Sequence, residues 1–417
     1  MERNNKVFRT VMGACCGVLA LALAGAGVKY FTRKFVVGRL GIRNAVTERI
    51  ASVNSPNDNR KTVAEGALLP GFTAFVYGIE EKVEAALGAN LPLGQAMTEG
   101  ASALEAKLGL TLGSPDDPSA VDELEGGYLI GRNAKIGDTQ LPPMMERLRQ
   151  TGKPLLFVCT PGKACKVDDA GYDGVLNFDN ARKDERLAVL TEAGFGTFDL
   201  REAFHAAGFV HHSLFYRTDH HWLPEAACTA ARFLAEELNA RFGLAIPDGA
   251  CFDIGNYEEE RFEALFLGSN GRKLTLGRCA PEDFSLWSPK FETEYRIRIP
   301  SEGLDLTGTH EVLFDRRHLA RGDYYRTNPY TAYLRGNTAL TQVTNLKRPE
   351  GAKLLFIGDS FDNALLNFFV NAVAECAVLD TRMWAEEDAF WAWIAEHAES
   401  YDAIVVSGEW FAFGTLL

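Results

Sequence analysis

From about residue 126 onward the chain alternates short apolar runs with longer stretches whose apolar residues recur every three or four positions. Short runs bounded by turn residues read as buried strands, and the longer periodic stretches as amphipathic helices. Pro154-Leu-Leu-Phe-Val-Cys159 and Gly196-Thr-Phe-Asp-Leu200 are strands on this reading, as are 353–357, 376–380 and 402–407. Helices are predicted over 141–150, 184–193, 201–207, 225–242, 362–373 and 386–398. The rhythm predicts an α/β fold, a parallel sheet flanked by helices on both faces. Residues 250–350 interrupt it with glycines, aromatics and short alternations such as Glu294-Tyr-Arg-Ile-Arg-Ile-Pro300, which predict a β-rich insertion.

The segment ahead of residue 121 is different in character. Val76–Leu87 and Ala101–Leu108 have helical spacing, and Gly113-Ser-Pro-Asp-Asp-Pro-Ser119 is a loop by its turn chemistry. Val11 to Val28 is an uncharged, mainly apolar run. It sits at the low edge of the roughly 17–25 residues that span a bilayer core. Arg3, Lys6 and Arg9 precede it, and Lys29, Arg33, Lys34 and Arg39 follow, so charge bias leaves its orientation open. Ala22-Leu-Ala24 has the form of a signal-peptidase site, but the basic residues behind it favour an uncleaved signal anchor. The expected organisation is an anchor with its flanks over 1–40, a connector and helical segment over 41–120, and one α/β domain over 121–417.

Composition narrows the partners. The net charge is −13 and there is no basic stripe, which disfavours nucleic acid. Of eight cysteines, Cys15 and Cys16 fall in the apolar run. Cys159 with Cys165 and Cys251 with Cys279 are the local pairs to consider for disulfides, beside free buried thiols. The spacing suits no ordinary zinc knuckle, and no metal or organic cofactor is expected.

Two motifs carry chemistry. Thr218-Asp219-His220-His221-Trp222 offers an acid and an imidazole two residues apart. Lys353-Leu-Leu-Phe-Ile-Gly358 leads directly into Asp359-Ser360-Phe361. A serine hydroxyl is a weak nucleophile until a base takes its proton, and the base needs an acid to orient it. Ser360 is the candidate nucleophile, with a helix N-cap as its ordinary alternative. His221 is the candidate base and Asp219 its orienting acid, with a capping Asp and a packed His as the plain reading. His220 competes for the role of base, and Trp222 reads as core packing.

An apolar strand ending in Gly-Asp-Ser resembles the nucleophile turn of SGNH hydrolases. Asp219 and His221 ahead of Ser360, within Tyr216-Arg-Thr-Asp-His-His-Trp222, resemble the DHHW family and the AlgX/AlgJ-like polysaccharide O-acetyltransferases. Gly126-Gly-Tyr-Leu-Ile130 resembles their turn into a first core strand, and Tyr333-Leu-Arg-Gly-Asn337 a segment upstream of the serine. Leu379-Asp-Thr-Arg382 and Asp402–Glu409 resemble segments after it, while Leu91-Pro-Leu-Gly-Gln95 departs from the family pattern.

The resemblance implies an extracytoplasmic O-acetyltransferase acting on a cell-surface polysaccharide through an acyl-Ser360. It implies a multi-span membrane-bound O-acyltransferase as donor partner. A carbohydrate acetyl esterase and a non-catalytic polysaccharide-binding scaffold are the alternatives. The Ser360 amide, Gly336, Asn337 and Asn270 within Gly268-Ser-Asn-Gly-Arg272 are oxyanion candidates, and Arg217 and Tyr216 candidate substrate contacts.

Overall fold

The two central parallel segments, 354–358 and 403–406, carry no polar side chain because both of their faces are covered. In the computed structural model Leu354 to Gly358 and Ala403 to Val406 are buried without exception. The structure describes residues 99–100, 103, 121–132, 143–164, 179–247, 249–320 and 324–408. The predicted anchor at 11–28 and nearly all of the 41–120 segment lie outside these. Among the described residues no helix is long and apolar enough to cross a membrane.

The strands are β1 Val121–Glu123, β2 Leu129–Gly131, β3 Leu155–Cys159, β4 Gly196–Asp199, β5 Tyr257–Phe266 and β6 Glu282–Pro289. They continue with β7 Tyr295–Ile299, β8 Leu304–Gly308, β9 Leu340–Asn345, β10 Lys353–Gly358, β11 Glu375–Asp380 and β12 Ala403–Val406. The α-helices are α1 Pro143–Arg149, α2 Asp179–Glu192, α3 Leu200–Ala206, α4 Pro224–Phe242, α5 Ser269–Leu274, α6 Ser360–Phe369 and α7 Glu387–His397. The main sheet has eight strands in the order β4-β3-β12-β10-β11-β9-β7-β8. The first five run parallel, and β9, β7 and β8 extend the sheet antiparallel.

Strand alternation sends neighbouring side chains to opposite faces. Leu354 and Phe356 of β10 pack with α3, α4 and α6 in one core. Leu355 and Ile357 pack with Met144, Met145 and Leu148 of α1, Leu190 of α2 and Phe390, Trp391 and Ile394 of α7 in the other. Helices thus cover both faces, as the rhythm predicts.

Three expectations change. Residues 257–345 are rich in strands, but β7, β8 and β9 continue the main sheet and only the β5–β6 ribbon stands apart from it. Along β7, Tyr295, Ile297 and Ile299 are buried while Arg296 is exposed, so one face of this antiparallel extension joins the core. Gly126–Ile130 leads into β2, whose Leu129 and Ile130 are buried, but that strand lies outside the main sheet. Gly126 and Gly127, with φ of 76° and 77°, turn β1 back into β2 as a separate two-stranded ribbon. Finally, Cys251 and Cys279 are free thiols, as are Cys159, Cys228 and Cys376. Cys251 instead sits against the Asn371 carbonyl and Cys279 against that of Gly271. Cys165 lies outside the described residues.

Candidate active site

Open parallel sheets present their functional groups at the carboxyl ends of their strands. Here β10 ends at Gly358, and the chain turns at once into α6. The turn is tight enough to demand glycine: a Cβ on Gly358 would lie 1.6 Å from Asp362 Oδ2 and 2.8 Å from Ser407 Oγ. Asp359, not Ser360, is the N-cap; its carboxylate accepts from the Phe361 N–H at 2.9 Å. Asp362 completes a capping box by accepting from the Asp359 N–H. Ser360 is therefore the first residue of α6, with its backbone N–H among those a helix leaves without an intrahelical partner. Asp362 is wholly buried and also accepts from Ser407 Oγ at 2.8 and 2.9 Å. Burial, then the Asp359 charge, pushes its carboxyl up to about 8.

The acid and imidazole sit on a loop closed by its own backbone. Phe215 and Trp222 form an antiparallel bridge, the Tyr216 N–H donates to the His221 carbonyl, and the Leu223 N–H to that of Leu214. Pro224 then opens α4, where a missing N–H costs nothing. Trp222 is fully buried; its indole donates to the Phe361 carbonyl at 3.2 Å and its ring meets Phe361 edge-on. That side chain fastens the loop to the first turn of α6.

The structure brings three of the sequence-predicted residues into one hydrogen-bonded line. His221 Nδ1 is 2.5 Å from Asp219 Oδ1, and His221 Nε2 is 2.7 Å from Ser360 Oγ. Asp219, His221 and Ser360 are 2%, 4% and 8% exposed, so water competes little for these bonds. Asp219 also accepts from the Ser269 N–H at 2.6 Å and from the His221 N–H at 3.0 Å. Burial works to raise the Asp219 carboxyl, but His220, His221 and the Ser269 N–H outweigh it and hold the group well below the usual carboxylate range. Burial, followed by the adjacent His220, pushes the His221 imidazole below its ordinary value, against the pull of Asp219. An ionised Asp219 thus faces a neutral imidazole. The Nδ1 proton goes to Asp219, which leaves the Nε2 lone pair to receive the Ser360 hydroxyl proton.

His220 takes a different place. Its side chain is 38% exposed and its Nδ1 lies 2.8 Å from Ser269 Oγ. His221 is the histidine that reaches Ser360. Asp219, His220 and His221 bring ligand atoms within 4.8 Å of one another, as a metal site would. Their atoms are already engaged, however: Asp219 with Ser269 and His221, His221 with Ser360, and His220 with Ser269. Both ring nitrogens of His221 are taken, so it could hold a cation only by giving up Asp219 or Ser360.

Two further charged residues hold the loop, and the sequence pattern does not single them out. Buried Lys163, just past the end of β3, donates to the carbonyls of Tyr216, Arg217 and Asp219 at 2.6, 2.7 and 2.7 Å. Burial pushes its ammonium down to about 7, and Asp219 and Glu282 pull it back up. Glu282, at the start of β6, accepts from the N–H groups of Arg217 and Thr218 at 2.8 and 2.6 Å and from the Thr218 hydroxyl. Gly268 closes in from α5: a Cβ there would lie 2.3 Å from Asp219 Cβ and 2.5 Å from its backbone N. Lys163 follows Thr160-Pro161-Gly162 after the end of β3, and no local pattern signals its contact.

The remaining candidates divide. Asn337 Oδ1 accepts from Asn363 Nδ2 at 2.8 Å, which brings Asn337 to the first turn of α6. Gly336 has its N–H committed to the Tyr333 carbonyl at 3.0 Å, so that donor is spent inside its own turn. Asn270 Nδ2 is likewise committed, to the Leu129 carbonyl at 3.2 Å, where it ties α5 to β2. Arg217 has an exposed side chain, and Tyr216 is buried in the aromatic core against Phe266 and Phe284.

A family model described as the SGNH hydrolase-like domain of the acetyltransferase AlgX matches residues 133–261, which include Asp219 and His221 and end before Ser360. No curated protein sequence matches the chain. Among solved structures, a DHHW family protein from Eubacterium siraeum is similar with a TM-score of 0.53 at 16% identity, over 71% of this chain and 92% of its own. PatB1 of Bacillus cereus, solved with a sulfonyl adduct, is similar with a TM-score of 0.53 at 14% identity, over 71% of this chain and 95% of its own. At such identities the likeness to both is one of fold. By sequence over 133–261 the chain is thus similar to the SGNH hydrolase-like domain of AlgX, and by fold over 71% of its length to the DHHW family protein and to PatB1.

Proposed function

We propose that the protein is a serine-dependent O-acyltransferase that moves an acetyl group onto a hydroxyl of a cell-surface polysaccharide. The observation that carries this reading is the buried line from Asp219 through His221 to Ser360. His221 Nε2 takes the hydroxyl proton as Ser360 Oγ attacks the carbonyl carbon of the donor ester. Asp219 stabilises the imidazolium that forms. The Ser360 N–H, at the positive end of α6, faces the charge that develops on the carbonyl oxygen, and Asn337 is a second donor within reach of that turn. The imidazolium returns its proton to the leaving alcohol, and an acetyl-Ser360 ester remains. A sugar hydroxyl, deprotonated by the same His221, then attacks that ester and releases Ser360.

The matched family model, described as an acetyltransferase domain, supports acetyl as the acyl group; the polysaccharide acceptor rests on the resemblance of Tyr216–Trp222 to the AlgX/AlgJ-like enzymes. The apolar run at 11–28 supports a membrane anchor; a domain outside the cytoplasm and a multi-span O-acyltransferase as donor rest on the family resemblance alone. The same three residues serve an esterase if water reaches the acyl-enzyme first.

The deciding experiment follows acetyl-ester turnover by the full chain in the presence and absence of oligosaccharide acceptors, against Ser360→Ala. Serine-dependent appearance of acetyl on sugar supports the transferase. Acetate alone under all acceptors would replace it with the esterase, and equal rates in the two proteins would leave only a binding role.

A further inference from the structure

We propose that Lys163, together with Glu282, is a positioning residue that holds the Asp219–His221 pair in the geometry needed to activate Ser360; the inference rests on the serine-dependent reading above. A lysine ammonium has three N–H donors. At Lys163 they meet three backbone carbonyls of one short loop, those of Tyr216, Arg217 and Asp219. Glu282 receives the backbone N–H groups of Arg217 and Thr218 and the hydroxyl of Thr218. The carbonyls of this loop therefore converge on a cation and its amides on an anion. Such charge-assisted bonds are roughly twice as strong as neutral ones.

A loop of this size has simpler ways to be closed. Burying an ammonium is costly unless it is paired and hydrogen-bonded, so a cation here indicates that the position of these carbonyls matters. Two of the three held residues bond to His221, one at its imidazole and one at its backbone. Asp219 supplies its acceptor, and Tyr216 donates its N–H to the His221 carbonyl. Lys163 thus holds the two residues ahead of His221 that bond to it. Gly268 limits movement of Asp219 from another direction, because its Cα lies too close for a side chain. A displaced loop would lengthen the Asp219–His221 and His221–Ser360 bonds together.

The test uses the full chain with Lys163→Met, which keeps the apolar stem and removes the donors. The proton that His221 shares with Asp219 is expected to give a far-downfield signal in the NMR spectrum. Turnover of an acetyl ester is measured alongside, per site counted by titration with a sulfonyl fluoride, so that misfolded protein is not scored. The signal should vanish or move upfield, and kcat per site should fall about tenfold to a hundredfold, with KM changed less than about threefold. A signal and a kcat per site equal to those of the wild type would overturn the proposal. If Lys163→Met does not fold, Glu282→Gln takes its place: loss of the signal and of kcat supports the proposal, and wild-type values of both overturn it. Absence of Ser360-dependent turnover in the wild type would refute the reaction instead. The NMR signal then decides alone, and its persistence in Lys163→Met would still overturn the positioning role.

Discussion

The imidazole of His221 lies against the ring of Tyr330, with centroids 3.9 Å apart and planes within 15° of parallel. In the proposed acyl transfer that imidazole becomes an imidazolium, and the face of an aromatic ring attracts a cation by about 0.5–2 kcal/mol. The gain exists only in the charged state, so it lowers the barrier rather than tightening substrate binding. Tyr330→Phe keeps the ring and should leave kcat within about threefold of wild type. Tyr330→Leu should lose about tenfold in kcat with little change in KM. Equal kcat in the Phe and Leu variants, compared per titrated site, would contradict this role.

The pH profile follows from the environment of His221. Burial and His220 push its imidazole below the ordinary value of about 6.5, so it stays neutral, and competent as a base, into mildly acidic solution. The acid limb of kcat/KM should therefore fall at a pH below that value. His220→Gln removes one of the two causes and should move the limb upward. A limb at or above the ordinary histidine range, unmoved by His220→Gln, would contradict the assignment.

Asp362 gives a prediction for stability. Its folded carboxyl is raised to about 8 by burial and by Asp359, whereas an unfolded aspartate ionises near about 3.9. Between those values the folded chain keeps a proton that the unfolded chain has lost, so stability from this group is full at low pH and declines as pH rises toward about 8. Asp362→Asn cannot ionise and keeps a carbonyl to accept from Ser407. The denaturation midpoint of the variant should gain on that of the wild type as pH rises from about 5 to about 8. A constant difference across that range would mean that Asp362 does not titrate in this way.

Much of this arrangement is legible in the sequence for physical reasons. Strands such as Leu354–Gly358 are buried on both faces, so they are uniformly apolar and easy to see. Pro224 marks the start of α4 because its fixed geometry suits that place. Asp219 and His221 are two residues apart, and Ser360 directly follows its strand, so their chemistry is local. What the sequence does not reveal depends on tertiary approach. Lys163 and Glu282 lie 56 and 64 residues from their loop partners, and nothing near either one encodes the contact. The spent N–H of Gly336 depends on a turn geometry that composition does not specify. The joining of β7, β8 and β9 to the main sheet is hidden because antiparallel alternation fits an independent ribbon equally well. Gly126–Ile130 supplies a buried strand outside the main sheet because its two left-handed glycines fold it back on β1.

The central claim is that Ser360 carries the acyl group. The most direct measurement is peptide mass analysis of the full chain quenched during turnover of an acetyl donor. Acetyl is expected on the peptide containing Ser360 in the wild type, and its loss in His221→Ala, where no base takes the hydroxyl proton. Acetyl on another residue, or continued turnover by Ser360→Ala, would contradict it.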